Sequence, residues 1–339
     1  MVAVMSVPES FQRSFRRLAF CLIATLVVPA YSAAQERVRI AYGAVSVQSG
    51  LVWLAKQKNL FAKYNLAPEI VYIPGGSTNI QALISGNLDI SQLTAAPGVA
   101  ANLEGADIAY IAGFIDKLNY QLVTRPEIKS VAELKGKRLG ISRFGSAADF
   151  GLRVMLRRLG IDPARDVTIL QIGDEPARSA AVQAGNIEGT VMNAPFGTQA
   201  QKLKFNIVAD SVKMGIPFFG TGLLGSRRVL ERDERKVLNL LRAYLEAIKV
   251  LKLERAWSIQ ALAQFTRVTD LKAVEEAYDN FKDQLPNVPH PSLEAMQAVV
   301  SQMAETSPKA RSADARSYID DRYLRQLESE GFVKRVWQQ

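Results

Sequence analysis

The stretch Gly75-Gly76-Ser77-Thr78-Asn79-Ile80-Gln81-Ala82-Leu83-Ile84-Ser85-Gly86-Asn87-Leu88-Asp89-Ile90 decides how the rest of the chain is read. About a hundred residues later it returns in altered form, as Glu175-Pro176-Ala177-Arg178-Ser179-Ala180-Ala181-Val182-Gln183-Ala184-Gly185-Asn186-Ile187-Glu188-Gly189. Leu83 and Val182, Gly86 and Gly185, Asn87 and Asn186, Leu88 and Ile187, Asp89 and Glu188 all differ by 99 positions. Each copy predicts a helix stopped by glycine, which accepts the left-handed conformation at a helix end, followed by a short apolar strand. Each then enters a small-residue loop with proline, Thr94-Ala95-Ala96-Pro97 and Asn193-Ala194-Pro195. Upstream, Arg39-Ile40-Ala41-Tyr42 is answered at the same offset by Arg138-Leu139-Gly140-Ile141. A repeat of this length exceeds a solenoid unit and suits a duplicated α/β lobe.

The first 34 residues read as an export signal. Arg13, Arg16 and Arg17 precede the apolar run Leu18 to Ala30, and Ser32-Ala33-Ala34 offers small residues for cleavage before Gln35. The run falls short of the roughly 20 residues that span a bilayer. Cys21 follows bulky Phe20, which argues against lipidation. Removing 34 of the 339 residues leaves 305 and no cysteine, and takes the formal charge from +9 to +7 by deleting three basic residues and Glu9. The mature chain thus relies on its core rather than on disulfides. Its positive charge is spread out rather than clustered, which predicts no nucleic-acid partner.

Beyond residue 35, short apolar runs alternate with helical patterns, the signature of a mainly parallel sheet covered on both faces. Strands are expected at 38–42, 70–73, 88–90 and 108–114, then at 137–142, 167–170, 189–192 and 205–208. Ser77 or Thr78 is the expected cap of the helix between them. The chain leaves the first lobe near Asn119-Tyr120-Gln121-Leu122-Val123 and returns along Pro217 to Leu224. From Arg227 the pattern is helical, with Leu238, Leu241, Leu245, Ile248 and Leu251 on one face and Ala273, Ala277 and Phe281 on another. A final helix is expected to carry Tyr318, Ile319, Tyr323 and Leu324.

Catalytic chemistry finds little footing. The one histidine, His290, sits between prolines in a loop expected to face solvent, and neither a zinc set nor a phosphate-cradling glycine motif occurs. No metal and no cofactor are expected. Binding is better served, because ligands of parallel α/β sheets sit at the carboxyl ends of the strands. Gly75-Gly76-Ser77 and Gly145-Ser146 open helices whose free N–H groups suit a carboxylate, sulfonate or phosphate. Arg143 lies in such a loop and could pair an anion. Tyr42, Phe144, Phe196 and Phe218 could supply apolar walls.

The run Gly75 to Ile90, Thr94 to Pro97, Ser130-Val131-Ala132-Glu133-Leu134-Lys135-Gly136-Lys137-Arg138-Leu139-Gly140 and the ending Tyr318-Ile319-Asp320-Asp321 carry a family resemblance. Over residues 37 to 333 the chain resembles periplasmic solute-binding proteins of ABC importers, within the nitrate/sulfonate/taurine-binding and thiamine-precursor-binding-like group. The resemblance implies a two-lobe α/β periplasmic-binding-protein fold of type II with two crossovers and the C-terminal helices on lobe 1. Residues 35–117 with 222–339 would form lobe 1 and 118–221 lobe 2, closing on ligand like a clamp. It also implies contacts from Tyr42, Ser46, Gly76, Ser77, Thr78, Thr94 and Ala95 on one side, and from Asn119, Arg143, Ser146 and Asn193 on the other.

The expected function is non-enzymatic: a periplasmic monomer that captures a small organic anion and delivers it to an ABC permease and ATPase at the inner membrane. Ala44-Val45-Ser46-Val47 is less polar than a sulfonate or nitrate site would favour, and Phe144 and Phe218 would equally suit a larger, partly apolar carboxylate. Two alternatives stand beside it. One is a pyrimidine-forming enzyme on the same fold, which leans on a set of cysteine and histidine residues that the mature chain, with His290 alone, lacks. The other is a ligand-sensing module for a membrane receptor.

Overall fold

The computed structural model describes residues 35–193, 196–305 and 307–338. The expected export signal and Ala194-Pro195 of the second repeat loop lie outside the described residues. The strands are β1 (Glu36–Tyr42), β2 (Leu66–Tyr72), β3 (Ile90–Leu93), β4 (Ile108–Lys117), β5 (Gln121–Thr124), β6 (Arg138–Ile141), β7 (Thr168–Gln171), β8 (Gly189–Met192), β9 (Asn206–Asp210) and β10 (Pro217–Ser226). They build two five-stranded sheets, ordered β2-β1-β3-β10-β4 and β7-β6-β8-β5-β9. In the first sheet β1 is parallel to β2 and β3, while β10 runs antiparallel to β3 and β4. The second sheet repeats this, with β6 parallel to β7 and β8 and β5 antiparallel to its neighbours. Pro68 is tolerated because β2 is an edge strand, where a missing N–H breaks no ladder.

The duplication is visible in the register. Ile40 pairs with Ile70 and Ile90 in the first sheet, and Leu139 pairs with Ile169 and Gly189 in the second. Each second pairing is the first moved by 99 residues. Arg39 N donates to Asp89 Oδ2 at 2.8 Å and Asp89 N donates to Arg39 O at 3.0 Å. At the equivalent place Arg138 N donates to Glu188 Oε2 and Glu188 N to Arg138 O, both at 2.8 Å. The guanidinium of each arginine also pairs with its carboxylate. Gly86 and Gly185 end their helices at φ 75° and 76°, the left-handed conformation that glycine accepts without steric penalty. Asp89, expected within the third strand, is held instead by this clasp, and β3 starts one residue later.

Around the first sheet lie α1 (Leu51–Gln57), α2 (Leu60–Lys63), α3 (Gly76–Ile84) and α4 (Ala95–Leu103); around the second lie α5 (Ala147–Arg158), α6 (Glu175–Gln183) and α7 (Phe196–Lys202). One start differs from expectation. The cap of α3 is Gly75 at φ 84°, not Ser77 or Thr78, because the chain turns into the helix at the residue that can take a left-handed angle. Helix α4 begins at Ala95 and contains Pro97 in its first turn, where no N–H partner is lost.

After β10 come α8 (Arg227–Arg232), α9 (Glu234–Leu253), α10 (Arg255–Thr266), α11 (Leu271–Gln284), α12 (Leu293–Ala304), α13 (Arg322–Ser329) and α14 (Phe332–Gln338). The predicted apolar face of α9 packs with Val38 and Ile40 of β1 and Phe114 of β4 in one buried cluster. The expected final helix is divided. Tyr318 ends a short 3-10 turn, Ile319 bridges to Tyr110 of β4, and α13 starts only at Arg322.

Candidate functional site

The loops that follow β1, β2 and β3 in the first sheet and β6, β7 and β8 in the second line a single cleft. Its floor comes from the two crossings of the chain, at Leu118 to Tyr120 and at Phe218, Gly220 and Thr221. About 80 Å³ is open to the centres of water-sized molecules. One water needs roughly 10–15 Å³ by that measure, so the space suits a small organic molecule. Gly76 is required by packing: a Cβ there would stand 2.3 Å from Pro97 Cγ, so α3 and α4 could not approach as they do.

Helices α3, α4, α5 and α6 start at this cleft, and their starts are unlike. On the second-sheet side, Ser146 Oγ accepts from Asp149 N at 3.3 Å and Asp174 Oδ1 accepts from Ala177 N at 3.0 Å. Asp149 in turn accepts from Gly145 N at 2.9 Å. On the first-sheet side, Gly75 and Thr94 provide no side-chain cap to α3 and α4. Thr94 Oγ1 is buried without a hydrogen-bond partner. Uncapped N–H groups and the partial positive charge of a helix start favour an anion.

The second-sheet side is organised by Glu175 and Arg178, which are 5% and 2% exposed. One turn apart on α6, they share a face. Arg178 Nε donates to Thr190 Oγ1 at 3.0 Å, Nη1 to Gly173 O at 2.7 Å and Nη2 to Val191 O at 3.1 Å. Its Nη2 also lies 3.6 Å from Glu175 Oε1. Asn193 donates to that oxygen from N at 2.9 Å and from Nδ2 at 3.1 Å. Glu175 Oε2 is buried and has no partner. Burial pushes the Glu175 carboxyl up to about 7, against the opposing pull of Arg178 and Asn193. The Tyr120 hydroxyl is pushed up to about 12, by burial first and then by Glu175. Tyr72 is raised by burial, then by Asp174 and Glu175.

The first-sheet side is neutral by contrast. Gln92 Nε2 donates to Gln48 O at 3.1 Å, Tyr244 donates to Gln92 Oε1 at 3.2 Å, and Ser46 Oγ lies 3.3 Å from Ser49 Oγ.

Of the residues expected from sequence, Ser46, Gly76, Thr94, Asn119, Ser146, Asn193 and Phe218 line the cleft. Tyr42, Ser77, Thr78, Ala95 and Arg143 are not among its lining residues. Tyr42 stacks on Tyr72 at 5.2 Å and packs on Phe265 at 5.3 Å. Ser77, Thr78 and Ala95 lie in the first turns of α3 and α4. Arg143 is exposed, with its methylenes 3.4–3.8 Å from where a Cβ on Gly75 would stand, so it spans the rim between the two sheets' loops. His290, expected to face solvent, is only 34% exposed by side chain, and its Nε2 lies 3.1 Å from Glu328 Oε2. Sequence reasoning overlooked Tyr72, Gln92, Tyr120, Asp174, Glu175 and Arg178. The signal available was Asp174 as a cap followed by an acid and a base three positions apart.

Residues 32–266, more than two thirds of the chain, match the model of the NMT1-like family. The chain belongs to that family. Among its relatives is an aliphatic sulfonates-binding protein of Escherichia coli (strain K12), 27% identical over 248 residues that cover 71% of this chain and 75% of the relative. Two solved structures share the fold. The alkanesulfonate-binding protein SsuA of Xanthomonas axonopodis pv. citri, bound to MOPS, is 23% identical with a TM-score of 0.69 over 85% of this chain and 99% of its own. The periplasmic nitrate-binding protein NrtA of Synechocystis PCC 6803 is 12% identical with a TM-score of 0.66 over 86% and 88%. The family and the two-sheet binding-protein fold expected from sequence are thereby borne out.

Proposed function

We propose that this NMT1-like chain is the solute-capturing component of an ABC importer, which holds a small organic anion in the cleft and hands it to a membrane permease. The observation that carries this reading is the cleft itself. Two copies of one βα unit turn their strand ends toward each other, and buried polar atoms of both copies, Thr94 Oγ1 and Glu175 Oε2, lack partners there. Such atoms stay desolvated at a cost unless a bound molecule meets them. We take residues 35–117 with 222–339 as one lobe and 118–221 as the other, with the crossings as hinge. The names of the relatives, which bind sulfonates or nitrate, favour an anion. The leader-like residues 1–34 support export to the periplasm.

Thermal unfolding with a panel of sulfonates, carboxylates and pyrimidines tests this. A ligand at a hundred times its Kd stabilises by about 2.7 kcal/mol. Replacing Gly76 by Leu, which would crowd Pro97 and the cleft, should abolish the shift. A panel that never moves the melting temperature would overturn the proposal.

A further inference from the structure

We infer that the solute is dipolar: an anionic end rests on the uncapped helix starts of the first-sheet side, and an N–H donor at its other end meets Glu175. This deepens the proposed function and rests on the cleft being the solute site. The charged side chains of the lining are Asp174, Glu175 and Arg178. All three belong to the second-sheet side, at or beside the start of α6. Arg178 is committed to protein acceptors, since its three nitrogens already donate to Thr190, Gly173 and Val191. The one cation of the lining thus already faces protein acceptors, with Glu175 Oε1 3.6 Å from its Nη2.

The polarity of the helix starts points the same way. Those of α5 and α6 are closed by Ser146 and Asp174 and carry acids in their first turns, whereas those of α3 and α4 have no side-chain cap. An anionic group thus fits beside Gly75, Gly76 and Thr94, whose free hydroxyl can donate to it. At the opposite side Glu175 is 5% exposed and Oε2 has no partner, while Oε1 is already taken by Asn193. An ammonium or amide N–H that reached Oε2 would favour the ionised carboxylate and satisfy it with a charge-assisted hydrogen bond.

Isothermal titration of the full mature chain with matched pairs tests the inference: taurine against ethanesulfonate, β-alanine against propionate, and para-aminomethylbenzoate against para-toluate. In at least one pair the N–H-bearing member should bind about tenfold or more tightly. In the Glu175→Gln protein that ratio should collapse toward one, with the amine-free partner binding as well as before or better. A merely structural role for Glu175 would weaken both members alike and keep the ratio, and would overturn the inference. Equal binding of both members by the unaltered protein would overturn it too while leaving the anion reading intact. Silence from every probe would sink that reading and the inference together.

Discussion

Glu175 carries the main consequences at the residue scale. Burial raises its carboxyl from 4.5 to about 7, so the folded chain holds a proton that the unfolded chain releases. Stability from this group is therefore present below about 4.5 and declines as the pH rises through 7. Glu175→Gln should remove that decline. In urea melts between pH 4.5 and 8 the variant should gain on the parent by about 2–4 kcal/mol at the alkaline end; parallel pH profiles would refute the assignment. Arg178→Met acts oppositely. It strands the carbonyls of Gly173 and Val191 and leaves Glu175 without its cation, so a loss of about 3–5 kcal/mol is expected from the same melts. Neither residue stood out as a site residue in the sequence, since charged side chains are surface residues by default. Only the fold shows that the face of α6 carrying them turns inward.

At the scale of elements, the glycines that end α3 and α6 invite a paired experiment. Gly86→Ala and Gly185→Ala each force a Cβ into the left-handed region and should destabilise by about 1–2 kcal/mol. The two losses should be alike, because the close neighbour of the second Cβ, Arg125 Nη1 at 2.7 Å, is the end of a flexible side chain that can swing aside. Equal stability of both variants to the parent would mean these helix ends relax. Periodicity and glycine made these elements readable in advance, down to the offset that the sheet register then repeats. Starts of helices were less readable. Ser77 and Thr78 have good capping chemistry, yet Gly75 takes the cap position because the turn out of β2 needs a positive φ. Which loops face one another is likewise a property of the assembled sheets, so Arg143 could be placed near the rim but not outside the lining.

At the scale of the whole molecule, N-terminal sequencing of the exported protein should find its first residue at or within a few positions of Gln35. Recovery of chain beginning at Met1 in the inner membrane would contradict export by cleavage. The order of strands in the first sheet has a consequence for biogenesis. Strand β4 is joined to its sheet through β10, which is synthesised only after the entire second sheet, and the bridge from Tyr110 to Ile319 comes later still. A ribosome-bound or translocating chain that ends before Pro217 therefore holds β3 and β4 with the strand between them missing. Closing that gap is a contact of long sequence separation and is correspondingly slow. A fragment spanning 35–216, whose second sheet is complete, should accordingly leave the amides of β4 unprotected in hydrogen exchange, whereas 35–339 should protect them. Late arrival of β10 acts as a timer: it leaves the edge of the first sheet open while the second sheet is being made, and closes it only afterwards.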